Sequence, residues 1–152
     1  MVDNIINWCR MHGITILRWS LAIVFLWFGI LKLMPATGEA EDIGSRTLRW
    51  ITGYHLTEQL ALVILGLLEI AIGIGLLIRK WMPVVLCLLF VQLTGTLLPL
   101  IIFRSETWDG FLKPALSGHY IIKNVVLIAA GIVLLATVSK SEVVPKPGMA
   151  GR

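Results

Sequence analysis

One ionisable side chain lies inside a stretch of sequence that is otherwise uncharged and largely apolar. Glu69 interrupts an uncharged run from Leu60 to Ile78. A charged side chain at the centre of a membrane helix costs about 2.5–3.5 kcal/mol on insertion scales. Glu69 therefore requires a counter-charge, a bound proton or a functional role. Arg18 and Gln92 lie in two other apolar runs and have the chemistry to compensate a carboxylate.

The depth of Glu69 suggests two roles for it. Counting 1.5 Å per residue along antiparallel helices places Glu69 somewhat inside the membrane midplane, on the same side as Arg18. In the first hypothesis, Arg18 and Glu69 form a buried ion pair, completed by Gln92, that fixes the register of the helices. In the second, Glu69 holds or exchanges a proton as part of a redox-coupled site.

A second group of polar side chains is expected near the outer ends of the apolar runs. Its members are Lys32, His119, Lys123 and Asn124. Two ammonium groups and an imidazole around one opening would bind an anion or an electron-rich oxygen, such as a lipid phosphate, a quinone carbonyl or a small oxyanion. In the alternative, each lysine extends independently to the lipid headgroups.

The composition indicates that these residues belong to an integral membrane protein. Of the 152 residues, 57% are hydrophobic, and the mean hydropathy is +0.88. Four runs have about the ~20 residues that cross ~30 Å of hydrocarbon. They are residues 14–34, 60–78, 81–103 and 120–138. We expect an all-α four-helix bundle formed by residues 1–138 as one domain, followed by a disordered basic tail at 139–152.

The charges predict an orientation and exclude some functions. The net charge of +4 comes from basic residues that flank the apolar runs, so lipid headgroups are the expected partner and nucleic acid is not. The side with the termini is the more basic. Its basic residues are Arg10, Arg79, Lys80, Lys140, Lys146 and Arg152. This bias predicts that both termini are cytoplasmic.

The connecting segments constrain the bundle further. Arg79 and Lys80 alone join the second and third runs, which must form an antiparallel hairpin. Residues 35–56 fit either a short amphipathic surface helix or an ordinary loop with aromatic anchors. Pro99 is expected to free a carbonyl near Gly95. The dispersed histidines and the absence of a CxxC pair favour neither a metal site nor thiol-disulfide exchange.

Three segments resemble the DoxX-like membrane proteins, in particular the branch of the bacterial reactive-chlorine-resistance protein. Residues 18–32 (RWSLAIVFLWFGILK) are similar to its first helix, 68–73 (LEIAIG) to its second, and 116–118 (LSG) with 122–124 (IKN) to its last. The resemblance covers most of residues 14–138. It implies a four-helix bundle in a bacterial inner membrane and an association with oxidative or sulfur-linked redox chemistry, but it supplies no catalytic residues.

The sequence thus predicts an accessory subunit of a membrane-linked redox or oxidative-stress system, and it favours a role that is not catalytic on its own over that of an enzyme. A quinone or a small anion at the outer face is the expected ligand, and no other cofactor is indicated. Another membrane protein or a second copy of the chain is the expected partner. The alternatives are a purely structural or assembly subunit and, ranked last, a small-solute transporter.

Overall fold

A computed structural model describes residues 1–34 and 39–142 of the chain. The described chain is mostly helical, with one small antiparallel hairpin of two strands. The elements are α1 (Val2–Lys32), α2 (Glu39–Ile51), α3 (Glu58–Ile78), α4 (Met82–Leu97), α5 (Pro99–Ile102), α6 (Arg104–Thr107), β1 (Trp108–Gly110), β2 (Lys113–Pro114), α7 (Leu116–Ile122) and α8 (Asn124–Glu142). Helix α8 includes the first residues of the predicted tail, and residues 143–152 lie outside the described part.

The four predicted apolar runs are confirmed as helices of membrane-spanning length and composition. These helices are Val2–Lys32, Glu58–Ile78, Met82–Ile102 and Leu116–Val138. The first helix begins at Val2, well before the predicted start at residue 14. The segment before residue 14 contains no proline and only one glycine, Gly13, so nothing in it breaks the helix. Most of its early side chains are exposed.

Two of the four helices contain a local break. Pro99 has no N–H to donate, and helix α4 ends just before it. The Leu98 N–H donates to the Gly95 oxygen at 3.3 Å, one residue closer along the chain than in a regular α-helix. Helices α7 and α8 are similarly separated by a single residue, Lys123.

The apolar core is formed where the long helices contact one another. Helix α1 packs along α3, α3 packs on α4, and α4 packs on α8. The central side chains are fully or almost fully buried; they include Leu21, Ala22, Phe25, Ile72, Leu76, Leu86, Leu89 and Leu134. Many apolar side chains on the outer surface remain exposed, as expected for helices in contact with lipid.

Glycines bring the backbones of α1 and α3 into close contact. A Cβ atom placed on Gly29 would lie 2.8 Å from the Gly66 oxygen, and one placed on Gly66 would lie 2.9 Å from the Gly29 oxygen. Further along the helices, a Cβ on Gly73 would lie 3.0 Å from the Ala22 oxygen. The paired positions 29 with 66 and 22 with 73 define the antiparallel register of the two helices.

One end of the long helices is covered by α2 and by the segment from α6 to β2. We call this the capped end. The opposite end, where residues 79–81 connect α3 to α4, is the turn end. Residues 39–51 form a helix rather than an irregular loop, and Ile43, Ser45 and Thr47 of α2 are buried against the neighbouring helices. The segment is therefore packed on the protein as well as amphipathic.

An ion pair attaches α2 to the segment that carries the hairpin. The Arg46 guanidinium donates two hydrogen bonds to Glu106, of 2.7 and 2.9 Å, and lies 4.7 Å from the centre of the Phe103 ring. The same arginine lowers the pKa of the Glu106 carboxyl below its ordinary value, chiefly through the hydrogen bond.

Candidate functional site

Three polar residues of the long helices, one each from α1, α3 and α4, come together between the middle of the helices and the capped end. The Lys32 ammonium of α1 lies 2.8 Å from Oε2 of Glu69 in α3. Only 12% of the lysine side chain and 8% of the glutamate side chain are exposed. An ion pair so shielded is held in a low-dielectric environment, where each charge depends on the other for compensation.

The register of α1 and α3 explains why these two side chains meet. With Gly29 opposite Gly66, the Cα of Lys32 lies well toward the capped end from the Cα of Glu69. Side chains on an α-helix tilt toward its N-terminus. In antiparallel helices, Lys32 therefore tilts away from the capped end and Glu69 tilts toward it, so the long lysine closes the gap.

Gln92 of α4 completes the hydrogen bonding of the carboxylate. Its Nε2 donates to Oε1 of Glu69 at 3.0 Å, and Gln92 and Glu69 are both buried. Each carboxylate oxygen thus accepts a bond from a different helix. We call Lys32, Glu69 and Gln92 the polar triad; it joins α1, α3 and α4.

The expected pairing of Glu69 with Arg18 is wrong. Arg18 donates instead to the Leu76 and Leu77 carbonyl oxygens of α3, the second at 3.0 Å. The last carbonyls of a helix have no partner within it, and the C-terminal end attracts positive charge. Arg18 therefore caps the C-terminal end of α3, at the turn end. The Glu69 carboxylate is neutralised instead by Lys32, which reaches it from the capped end.

A second interhelical contact lies one helical turn along α4 from the triad. Asn124 Nδ2 of α8 donates to Thr96 Oγ1 at 2.9 Å, and Thr96 in turn donates to the Leu93 oxygen at 2.8 Å. Gln92 and Thr96 are four residues apart and so lie on the same face of α4. Sequence reasoning omitted Thr96 from the site, although its spacing from Gln92 was the available signal.

The four residues expected around one opening have separate contacts. Lys32 pairs with Glu69, and Asn124 bonds to Thr96. Lys123 is exposed, with its ammonium 4.6 Å from the centre of the Tyr120 ring, and the exposed His119 bonds through Nδ1 to the Ala115 oxygen at 2.9 Å. Adjacent residues in helical conformation point about 100° apart, and Lys123 and Asn124 accordingly have different partners.

The polar groups of this region satisfy one another. Among the described residues, every buried side-chain nitrogen or oxygen has a hydrogen-bond partner. Within residues 1–34 and 39–142, no group of three or more His, Cys, Asp or Glu residues is arranged to hold a metal ion. The chemistry that the triad offers is a shielded ammonium with hydrogen-bond donors beyond the one that Glu69 accepts.

Comparison with known proteins adds no relative. No protein-family model, curated protein or solved structure matches the chain.

Proposed function

We propose that this chain is an accessory subunit of a redox or oxidative-stress system in a bacterial inner membrane, with both termini in the cytoplasm. The observation that carries the proposal is the polar triad. Two of its members, Lys32 and Glu69, belong to the segments that resemble DoxX-like proteins, and they contact each other across α1 and α3. The four long apolar helices support the membrane location.

Lys32 is the residue that would hold a ligand. A lysine ammonium has three donor hydrogens, and one of them is directed at Glu69. The ammonium also lies 5.8 Å from the centre of the Phe28 ring, which is partly exposed on the surface of α1. A donor beside an accessible aromatic face suits a flat ligand with a carbonyl oxygen, the chemistry of a quinone. A small anion would be attracted by the same charge.

A purely structural role is the second candidate, and a specific observation favours it. The triad and the Thr96–Asn124 bond together join all four long helices through satisfied hydrogen bonds. Such contacts fix the register of packed helices without any ligand. The subunit would then serve assembly, and the exposed apolar surface would contact other membrane proteins.

Purification from native membranes separates these functions. Tagged wild type, Lys32→Met and Lys123→Met would be isolated in mild detergent, with proteins identified by mass spectrometry and quinones quantified after extraction. The redox proposal predicts a redox partner in all three samples and a quinone that only Lys32→Met loses. Lys123→Met is the matched control because it removes an exposed ammonium at the same end of the protein.

The possible outcomes are distinct. Partner proteins without quinone in the wild type would favour the assembly role. Absence of both quinone and a redox partner would contradict the redox proposal. Reporter fusions after Gly44 and after Lys146 test the orientation, and an external tail would contradict it.

A further inference from the structure

A groove opens on the outer surface near the capped end, away from the polar triad. It has a volume of about 280 Å³ and lies between α5 and the β1–β2 hairpin. Its lining residues are Leu100, Ile101, Arg104, Trp108, Phe111 and Leu112, with Gly110. The groove is thus apolar along most of its length and carries one positive charge.

The hairpin that forms one wall is fixed to the rest of the protein. The indole N–H of Trp108 donates to the Leu100 oxygen at 3.1 Å, and the Ala115 N–H donates to the Thr107 oxygen at 2.9 Å. A Cβ on Gly118 would clash with that Thr107 oxygen, so α7 contacts the base of the hairpin directly. The wall is a defined surface.

The tip of the hairpin carries two large apolar side chains that contact little else. Phe111 is 90% exposed and Leu112 is 76% exposed. Leu112 also has a φ of 55°, a left-handed conformation that leucine rarely adopts. Turns with a left-handed residue normally use glycine or asparagine there, so an exposed leucine at this position is unusual.

The Arg104 side chain has no hydrogen-bond or ion-pair partner among the described residues. Arg104 is exposed and lines the groove, and its backbone oxygen, not its guanidinium, accepts the Trp108 backbone N–H. The nearby Arg46 is, by contrast, paired with Glu106. Arg104 is therefore available to an external anion, and a guanidinium can bind phosphate oxygens through two parallel hydrogen bonds.

The groove lies where a membrane boundary would fall. The third apolar helix ends at Ile102, two residues before Arg104, and Leu100 and Ile101 belong to its last turn. Apolar side chains then face the hydrocarbon while the guanidinium reaches the headgroup layer.

We infer that this groove binds one anionic phospholipid, with its phosphodiester on Arg104 and an acyl chain between α5 and the apolar hairpin tip. Charge complementarity selects the headgroup, because the Arg104 guanidinium meets no carboxylate within residues 1–34 and 39–142. The continuous apolar lining selects a chain-bearing ligand over a free anion. The inference depends on the location in a membrane and is independent of the proposed redox role, so the failure of one leaves the other standing.

Native mass spectrometry of the full chain tests the lipid site. The purified protein would be titrated with phosphatidylglycerol, with phosphatidylcholine and with glycerol phosphate. We expect one tightly bound phosphatidylglycerol per chain. Arg104→Gln should weaken phosphatidylglycerol binding by about tenfold or more, because it removes the charge-assisted hydrogen bonds to the phosphodiester. Arg104→Lys, which retains the charge, should bind more tightly than Arg104→Gln.

Two comparisons identify the source of binding. Lys113→Gln removes the same charge from the same hairpin at a residue outside the groove lining, so it should alter binding by less than about twofold. A Phe111→Ser/Leu112→Ser double variant should bind phosphatidylglycerol more weakly than the wild type does. Excess glycerol phosphate should not displace the bound lipid. Equal losses of lipid affinity in Arg104→Gln and Lys113→Gln would contradict a specific site and indicate diffuse attraction between the lipid and the basic residues of this surface. Displacement of phosphatidylglycerol by glycerol phosphate would contradict the lipid assignment and indicate that the groove binds a free anion.

Discussion

Lys32 and Glu69 are 37 residues apart in the chain, and their side chains meet at 2.8 Å across the interface of α1 and α3. The contact forms because the two side chains tilt toward each other from different depths. It is reinforced by the glycine contacts that set the spacing of the same two helices. The Lys32–Glu69 ion pair and the close contact of the backbones at the glycines therefore specify the same register of α1 against α3.

Removing either partner of this ion pair should destabilise the protein. Lys32→Met leaves a shielded carboxylate without its counter-charge, a change that costs about 3–5 kcal/mol when the pair is buried. Glu69→Gln should cost less, because a lysine near a helix end can extend toward the headgroups. The free energy of unfolding would be measured by detergent titration in mixed micelles.

The double variant provides the decisive comparison. If the two groups act as a pair, the Lys32→Met/Glu69→Gln double variant should lose less free energy of unfolding than the sum of the losses in the two single variants. Lys123→Met, which removes an exposed ammonium, should alter the free energy of unfolding by under about 0.5 kcal/mol. Additive losses would show that Lys32 and Glu69 do not stabilise each other.

The close approach of α1 and α3 predicts a strong effect of one methyl group. Gly66→Ala would place a Cβ 2.9 Å from the Gly29 carbonyl oxygen, so the helices must separate. We expect a loss of about 1–3 kcal/mol, as in other overpacked interiors. Thermal unfolding in detergent would measure the loss.

Gly13→Ala is the matched control within α1. A Cβ at position 13 meets no atom within 4 Å. Because alanine favours the helix over glycine by about 1 kcal/mol, this variant should be neutral or stabilising. A similar loss in both glycine variants would indicate a general effect of the methyl group instead of a contact between helices.

The hydrogen bond between Thr96 and Asn124 should make a smaller contribution. Hydrogen bonds between membrane helices average about 0.6 kcal/mol and reach about 1.7 kcal/mol. A double-mutant cycle with Thr96→Val and Asn124→Leu should give a coupling energy in this range. Thr94→Val, on an exposed face of the same helix, should show no coupling with Asn124→Leu.

The Arg46–Glu106 pair predicts a dependence on pH. The pKa of Glu106 is lower in the folded protein than its ordinary value of 4.5, because Arg46 donates hydrogen bonds to its ionised form. The stabilisation is therefore complete above pH 4.5 and is lost as the pH falls through the lower, folded pKa. Both side chains are partly exposed, so the contribution should stay below about 1 kcal/mol.

Melting temperatures near pH 6 and at a pH below the folded pKa would test the Glu106 prediction. The difference between wild type and Glu106→Gln should shrink at the lower pH, because glutamine cannot be protonated in that range. Arg46→Gln should show the same reduced dependence on pH. An unchanged difference at both pH values would mean that another carboxylate is responsible for the acid sensitivity.

The four apolar helices were predictable because hydrophobic length alone specifies them. The partner of Glu69 was not, because counting depth along the chain locates Cα atoms and ignores the direction of side chains. Lys32 and Arg18 are both long cationic side chains on the helix that packs along α3. The carbonyls at the end of α3 hold Arg18, and only the packed register shows that Lys32 is left for Glu69.

The capped end was less predictable for a different reason. The helix at 39–51 and the hairpin at 108–114 consist of short polar and apolar mixtures whose structure depends on what they pack against. Thr107, for example, is fully buried only because Gly118 lets α7 lie against it. Contacts between segments this far apart leave no periodic pattern in the sequence.

The Lys32–Glu69 contact also has a consequence for biosynthesis. Lys32 enters the membrane with the first helix, before Glu69 has been synthesised, and its ammonium must first reach for the headgroup layer. When the helix that carries Glu69 arrives, the lysine side chain has to turn inward to form the bond seen in the folded protein. We therefore expect the Lys32 side chain to change conformation during assembly, when the helix that carries Glu69 arrives beside it.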